Sequence, residues 1–470
     1  MSVALLCLEL IDAGLVLAQQ RGTQVTIEKE EPGVAVLEEA ATVTGAEAAA
    51  RVRIKPLLSQ TNFWRTLSTQ PLSRPSRLVH TNADLAFAQA ESLLSAYRSD
   101  PDGVLLAIPA GYGREQLGLL LGVINETGVP VAGVVDAGLA ACALEPAPAR
   151  VLHLELELHQ ALLTVLEYVG GAQGGLKRSR YEIAPRQGLM ALQQAWMRMI
   201  AEQFVRHTRF DPLHDAASEQ RLLDQLPGWL AQLQDQERLT LSMQFGGHPL
   251  EIELERAQFI AAAEAHYAEL QKLVQDARVA GLPIELRVSQ RVSAMPGLVA
   301  RLSALRDCAL RVLPQGAAAL GALAHQAVIQ RSPDTLALVY QLPVARAQSV
   351  GDVGVAEDAT PAQLRPTHVL FQGRAWSISE SPLTVGWSPN EARSLVLPSA
   401  APGVSRAHCA IVRRNGSVLV EDRSTYGSFV NDERVVGQTV LTVGDRLRLG
   451  TPGVTLELIQ LVKDDGAPQD

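Results

Sequence analysis

The stretch "VSRAHCAIVRRNGSVLVEDRSTYGSFVN", residues 404–431, sets Ser405, Arg406 and Thr425 close together in the chain. Two hydroxyls and a guanidinium suit a dianionic phosphate, which is held by converging charge-assisted hydrogen bonds. Just upstream, "LTVGWSPN" carries Trp387 where such a pocket would want a cation. A second candidate is "LHLELELHQ", residues 152–160. Read as one extended strand, it places His153, Glu155, Glu157 and His159 on one face, successive members ~7 Å apart. Those are ligands for a divalent ion, but one strand rarely closes a metal site, so a polar face against solvent or a cleft is the competing reading. No Cys/His cluster and no GxSxG elbow offers further chemistry.

The elements that position these residues divide the chain in two. The segment 345–366, "ARAQSVGDVGVAEDATPAQLRP", is rich in Ala, Gly, Asp and Pro without apolar periodicity, and reads as a flexible linker over 345–367. Before it, a body over 1–344 alternates strands and helices. "GVLLAIPA" is a buried strand, "REQLGLLLGVINETG" a helix ending at a glycine, and "VPVAGVVD" another strand. "RVLHLELELHQALLTVLEYVGG" alternates and points to antiparallel pairing, and long helical patterns fill 186–236 and 255–280. After the linker, short strands separated by Gly, Pro, Asn or Asp predict a β-sandwich over 368–463, with a tail at 464–470.

Composition narrows the function. Of 470 residues, 47% are hydrophobic and 19% charged, which suits buried cores rather than disorder. A net charge of −9 gives nucleic-acid binding no support. Cys7, Cys142, Cys308 and Cys409 are far apart in apolar runs and read as core residues of a reducing compartment. The amino-terminal apolar run lacks a basic start and is interrupted by Glu9 and Asp12, and no window offers ~20 uninterrupted apolar residues. A cytoplasmic protein without membrane insertion is expected.

With "VSRAHC", "VEDRSTYGSFVND" and "LTVGDRLRLG" in this order, residues 368–463 resemble a forkhead-associated (FHA) domain. The resemblance implies a non-enzymatic β-sandwich whose loops at one end bind phosphothreonine peptides. Ser405 matches the phosphate-contacting serine, Arg406 the basic residue after it, His408 the loop-bracing histidine and Asn431 the later asparagine. Thr425 and Gly427 fit the second loop. Gly386 is followed by Trp387 where the family has arginine, and Tyr426 replaces the asparagine that holds the peptide backbone. Losing one charge-assisted hydrogen bond, ~1.5–3 kcal/mol, weakens binding about tenfold to a hundredfold. Arg393 or Arg406 is the candidate replacement cation, and Trp387 and Tyr426 are residue types favoured as protein-interface anchors.

The body, over about residues 1–335, resembles the actin-like (ribonuclease H-like) two-lobed α/β ATPase fold of heat-shock chaperones. "LLAIPAGYGREQLGLLLGVINETGVPVAGVVDAGLAA" resembles the strand, helix and strand linking its halves. "FDPLHDAASEQRLLDQLPGWLAQLQ" and "LTLSMQFGGHPLEIELERAQFIAAAEAH" resemble its helical and β subdomain. "VSQRVSAMPGLVARLSAL" and "LPQGAAALGALAHQAVI" resemble its adenosine-side segments. The family cradles ATP phosphates on glycine-rich turns, where the backbone takes φ > 0 and approaches the anion. Here Glu9 keeps the first acid, but Ile11 and then Asp12 follow. Glu155 keeps the second acid, followed by Glu157, Leu158 and His159. Gln290 and Arg291 stand where paired glycines are usual. The resemblance therefore implies a vestigial nucleotide cleft, a pseudo-ATPase without cofactor. Glu9, Asp12 and Glu155 also leave carboxylates enough for a metal in an altered site.

Three functions follow. The first is a non-catalytic, bacterial-type scaffold or adaptor contacting protein partners through both parts. The second is a phosphothreonine-dependent signalling adaptor, and the third an ATP-driven chaperone-like machine. Protein partners, phosphorylated or not, are expected; the sequence leaves the oligomeric state open.

Overall fold

The structure, a computed structural model, describes residues 4–460 apart from 40, 99–101, 171–173, 279–282, 331–336, 348–364, 373, 399–402, 415, 432, 436 and 452. The chain forms two compact units, residues 1–349 and 350–470. Most of the expected linker, and the 464–470 tail, lie outside the described residues. Of the linker's start, Ala345 and Ala347 hydrogen-bond to Ala147 of the first unit. At its end, Thr367 bonds to Ile459 of the second.

The first unit is mixed α/β and is built on two six-stranded sheets. One contains β1 (Ala4–Glu9), β2 (Leu15–Arg21), β3 (Gln24–Glu31), β4 (Val104–Ile108) and β5 (Val131–Asp136). The other contains β6 (Arg150–Leu156), β7 (Gln160–Val169), β8 (Gly175–Pro185), β9 (Ile284–Val288) and β10 (Cys308–Val312). The strand orders are β3-β2-β1-β4-β5 and β8-β7-β6-β9-β10. In each sheet the first three strands form an antiparallel meander, and the last two join its first strand in parallel. The same topology is thus built twice. Short strands Leu338–Val339 and Gln341–Leu342 then close the β5 edge of one sheet and the β8 edge of the other, stitching both with one piece of chain.

Burial explains the patterns. β4 reads VLLAI and is buried throughout, as a parallel strand covered on both faces must be. Helices Leu189–Thr208, Ala216–Gln232 and Arg256–Asp276 bury apolar stripes, including Trp196, Phe204, Trp229, Phe259 and Tyr267, against the second sheet and the hairpin Arg238–Phe245/His248–Glu255. The four cysteines are free, three of them buried. Among the described residues no helix is long and apolar enough to cross a membrane.

The alternation of "LHLELELHQ" does not run through as one strand. β6 ends at Leu156, and Glu157–His159 form the turn into β7. The face expected to carry His153, Glu155, Glu157 and His159 is therefore broken. His153 and Glu155 border one cavity, Glu157 another, and His159 bonds to Thr61. No group of three or more His, Cys, Asp or Glu able to hold a metal occurs among the described residues.

The second unit is an all-β sandwich. One sheet orders Arg374–Ser377, His368–Phe371, Val454–Ile459, Arg446–Leu449, Ser428–Val430 and Glu433–Arg434. The other orders Ser394–Val396, Leu383–Gly386, Cys409–Arg414, Ser417–Asp422 and Gln438–Leu441. Their inner faces meet through residues such as Val385, Ile411, Val420, Leu447 and Leu456. Gln438–Leu441 is absent from the strands expected from sequence. It is an edge strand with only Leu441 buried, so its apolar signal is weak.

Helices Ala137–Cys142 and Ala317–Ala324 of the first unit approach each other closely. A Cβ on Gly321 would stand 1.8 Å from the Ala140 carbonyl oxygen. Backbone cannot yield there as a flexible side chain would. Gly321→Ala is expected to destabilise the unit by about 3 kcal/mol or more, at the upper end of overpacking costs, measured as a shift in the urea midpoint at unchanged slope.

Candidate functional site

Two places hold the residues singled out from sequence: the seam between the two sheets of the first unit, and one end of the sandwich.

At the seam, a cavity of about 200 Å³ is bordered by Glu9, Ile11, Glu30, His153, Glu155, Ser289, Gln290, Arg291 and Gly316, among others. The short helix Gln290–Ser293 follows β9 and is capped by Ser289, whose hydroxyl accepts from the Val292 N–H. This helix turns Arg291 inward. Its Nη1 donates to Glu155 Oε1 at 2.9 Å, and its Nη2 reaches the Gly14 carbonyl at 3.2 Å and Glu30 Oε1 at 3.4 Å. Glu155 Oε1 also accepts from Ser289 Oγ at 2.7 Å and from the Leu156 N–H at 2.8 Å. Glu9 Oε2 accepts from the Ala319 N–H at 3.0 Å. Burial, aided by the charge of Glu155 and opposed by Arg291, pushes Glu9 up to about 7. Arg291 pays for desolvation, yet Glu155, Glu9 and Glu30 keep it charged, with its pKa raised. Glu30 and Ser289 were not legible as site residues, because only folding brings β3 and the end of β9 to Arg291.

The two turns expected to cradle phosphate do something else. None of Ile11, Asp12, Glu157, Leu158, His159, Gln290 or Arg291 takes a positive φ. The turns are therefore built on ordinary backbone, without the left-handed conformation that the family's glycines adopt. Two amides of the second turn are also committed. The Leu158 N–H donates to Asp12 Oδ1 at 2.7 Å, and the Glu157 N–H to the Gln160 carbonyl at 2.9 Å. Above them, Leu189 and Met190 at the start of the helix Leu189–Thr208 donate to the Glu157 and Leu158 carbonyls. Gly188 permits this contact, since a Cβ there would stand 2.4 Å from the Gln160 nitrogen.

A second cavity, of about 130 Å³, lies beside these turns and is bordered by Asp12, Glu157, Trp64, Arg65, Tyr112 and Gln160, among others. Burial pushes Asp12 up to about 6, against the Leu158 N–H and the charges of Arg291 and Arg65. Burial and then the charge of Asp12 push Glu157 up to about 8. Both cavities are thus walled by carboxyl groups, the reverse of what a polyphosphate needs.

At the end of the sandwich, His408 holds two loops together. Its Nδ1 accepts from the Ser405 N–H at 2.9 Å, which leaves Nε2–H to donate to the Gly427 carbonyl at 3.1 Å. Burial lowers its pKa, keeping the ring neutral for both roles. Ser405 Oγ accepts from the Thr425 N–H at 3.2 Å, so the serine and the threonine loop do meet. Asp422 organises the second loop through Ser424 and Ser428; those hydrogen bonds, against burial, hold its carboxyl below the usual range. Gly386 packs against the first loop, where a Cβ would meet the Arg406 carbonyl oxygen at 1.9 Å. The Trp387 N–H then bonds to the Ser405 carbonyl. Trp387 and Tyr426 are 40% and 61% exposed at this end, and Arg406 and Thr425 are exposed too.

Two expected contributors point elsewhere. Arg393 is taken up by Ser377, Ser379 and Ser381, bonding to the Ser377 carbonyl at 2.5 Å, so it does not supply the missing cation. Asn431, at φ 50°, ties its side chain to Asp445 and to the Arg446 N–H and shapes a turn. A cation that sequence reasoning missed does stand near. Arg434 crosses Gly427, its Nε 3.0 Å from where a Cβ would be, and Gly427 at φ 85° leaves room for it. It pairs with Phe429 in a short hairpin.

Arg291→Ala would leave Glu155 and its neighbours without their counter-charge. Removing one member of a buried pair costs about 3–5 kcal/mol, so a fall of that order is expected in denaturant unfolding at pH 8. Glu9 gains a proton as pH falls through about 7, so the deficit relative to the unchanged protein should shrink by pH 6. A pH-independent deficit would contradict this charge balance.

No curated protein matches this chain. Residues 383–450 match the family model for the FHA domain, and the sandwich of the second unit, with its braced loops, is therefore an FHA domain, a type of protein-interaction module that binds phosphopeptides.

Proposed function

We propose that the protein is a non-catalytic adaptor, in which a body of actin-like ancestry has given up nucleotide and the FHA module grips a protein partner with a rearranged loop end. The observation that carries this is the loop end itself. His408 keeps both loops in place, yet the positions flanking Ser405 present Trp387 and Tyr426 instead of a guanidinium and an amide. Exposed aromatic rings on a rigid frame are typical anchors of protein interfaces. For the body, the doubled strand order supports the actin-like reading. The ion pairs of Arg291 across the seam and the committed turn amides support loss of nucleotide.

A second reading, phosphothreonine-dependent binding, is favoured by one specific observation: Arg434 lies over Gly427 beside the Thr425 loop, and Arg406 is exposed next to Ser405. Titrating the full chain with matched phosphothreonine and unphosphorylated peptide libraries separates the two. On the first reading, affinity is indifferent to phosphate and falls about thirtyfold or more in Trp387→Ala/Tyr426→Ala, the effect of losing an interface hot spot. Binding that needs the phosphate and is lost in Ser405→Ala and Arg434→Ala would establish the second reading instead.

For the body, calorimetric titration with ATP and ADP, with and without Mg²⁺, is expected to show no binding up to millimolar concentrations. Micromolar binding, or hydrolysis abolished by Glu155→Gln, would overturn the pseudo-ATPase reading and favour the chaperone-like one.

A further inference from the structure

The cavity of about 130 Å³ beside the turns poses a problem of charge. Asp12 lies on the turn after β1, in the half of the body built on the first sheet. Glu157 lies on the β6–β7 turn, in the other half. Both are buried, at 4% exposure. Asp12 Oδ1 accepts from the Leu158 N–H, so this carboxyl is one of the ties between halves. Its Oδ2 is buried without a hydrogen-bond partner. Glu157 Oε2 accepts from Gln160 Nε2 at 2.5 Å.

Two ionised carboxylates cannot share such a place without a counter-charge. The groups facing them supply one only in part: the charges of Arg291 and Arg65 oppose the rise in proton affinity without undoing it. Arg291 is engaged by Glu155, Glu30 and Gly14. Arg65 is exposed at the rim and bonds through Nε to Asn62. Tyr112 donates its hydroxyl to the Trp64 carbonyl, and both carboxyl charges resist its ionisation. His159 is turned toward Thr61, and burial lowers its pKa. Glu155 adds further negative charge to Glu157.

We propose that Asp12 and Glu157 form a proton-held latch between the two halves of the body. With one proton kept by the pair, the turn of one half stays bonded to the turn of the other; when that proton leaves to solvent, two like charges face each other, Leu158 is released and the cavity widens. Burial opposes both ionisations, and the charge left by the first opposes the second, so the pair holds its last proton above the usual carboxyl range. Both groups bind a proton more tightly in the joined state than in water. That state is therefore favoured at lower pH and loses its advantage as pH rises through the raised value of Glu157. This makes the body responsive to pH with no nucleotide involved, and it stands whether or not the adaptor reading holds.

Infrared spectra of the full chain test this directly. In the difference between the unchanged protein and Glu157→Gln, which cancels the contribution of Glu9, the carbonyl stretch of a buried, protonated carboxylic acid should be present at pH 7 and vanish with a midpoint near pH 8. Exchange of the Leu158 amide, normalised to its intrinsic rate, should rise up to about tenfold per pH unit below that midpoint, where each opening releases one proton, and level off above it, where the closed state has already lost that proton. In Glu157→Gln, which keeps shape without charge, exchange should be flat. Asp12→Asn provides the same comparison from the other side should Glu157→Gln fold poorly. Absence of that difference band at pH 7, or exchange in the unchanged protein that is flat from pH 6 to 8, overturns the latch.

Discussion

The guanidinium of Arg291 balances the charge of the seam in the first unit. It comes from a short helix of one half and closes on Glu155 of its own half and on Glu30 and Gly14 of the other. Around it, Glu9, Asp12, Glu155 and Glu157 are all buried. A concentration of acid like this persists in a fold only where each group is neutralised by a partner, by a proton or by a cation. Arg291 serves for Glu155, a raised proton affinity serves for Glu9 and Glu157, and a backbone N–H serves for Asp12. The chain's own groups thus offset much of the buried charge at the seam, beside cavities of about 200 and 130 Å³.

That arrangement rests on the doubled topology. Each sheet places the end of its first strand and the following turn at the seam: Glu9 and Asp12 from one, Glu155 and Glu157 from the other. The parallel strands behind them, β4 and β9, are buried on both faces and fix the height at which the turns project. Leu338–Leu342 then binds the outer edges of both sheets with a single stretch of chain.

Much of this was legible in the sequence wherever the signal was local. The three motifs of the sandwich lie within a short span, so their order identified its loops, and Ser405, His408 and Thr425 do meet. Strand and helix periodicity placed most elements of the body. What could not be read was the direction of long side chains and the meeting of distant segments. Arg393 was a plausible cation by position, but a guanidinium at the end of four bonds finds the nearest carbonyls, here those of Ser377 and Ser381. Arg434, Glu30, Arg65 and Tyr112 carry no local mark of the sites they border. "LHLELELHQ" misled because alternation says nothing about where a strand ends; Glu157 belongs to a turn clamped by a helix start. The FHA assignment rests on a family match over residues 383–450, whereas the actin-like reading of the body is a proposal.

His408 sits inside the sandwich, while Trp387 and Tyr426 sit outside on the loops it holds. Frame and, on the proposed reading, contact surface are thus encoded by different residues. The outer positions can be exchanged by mutation without disturbing the frame, so partner choice can drift, or be selected in the laboratory, on a scaffold that stays folded throughout. A lineage could pass from reading phosphate to reading aromatic complementarity in small viable steps, and the same freedom makes this end of the module a tractable starting point for evolving new specificities.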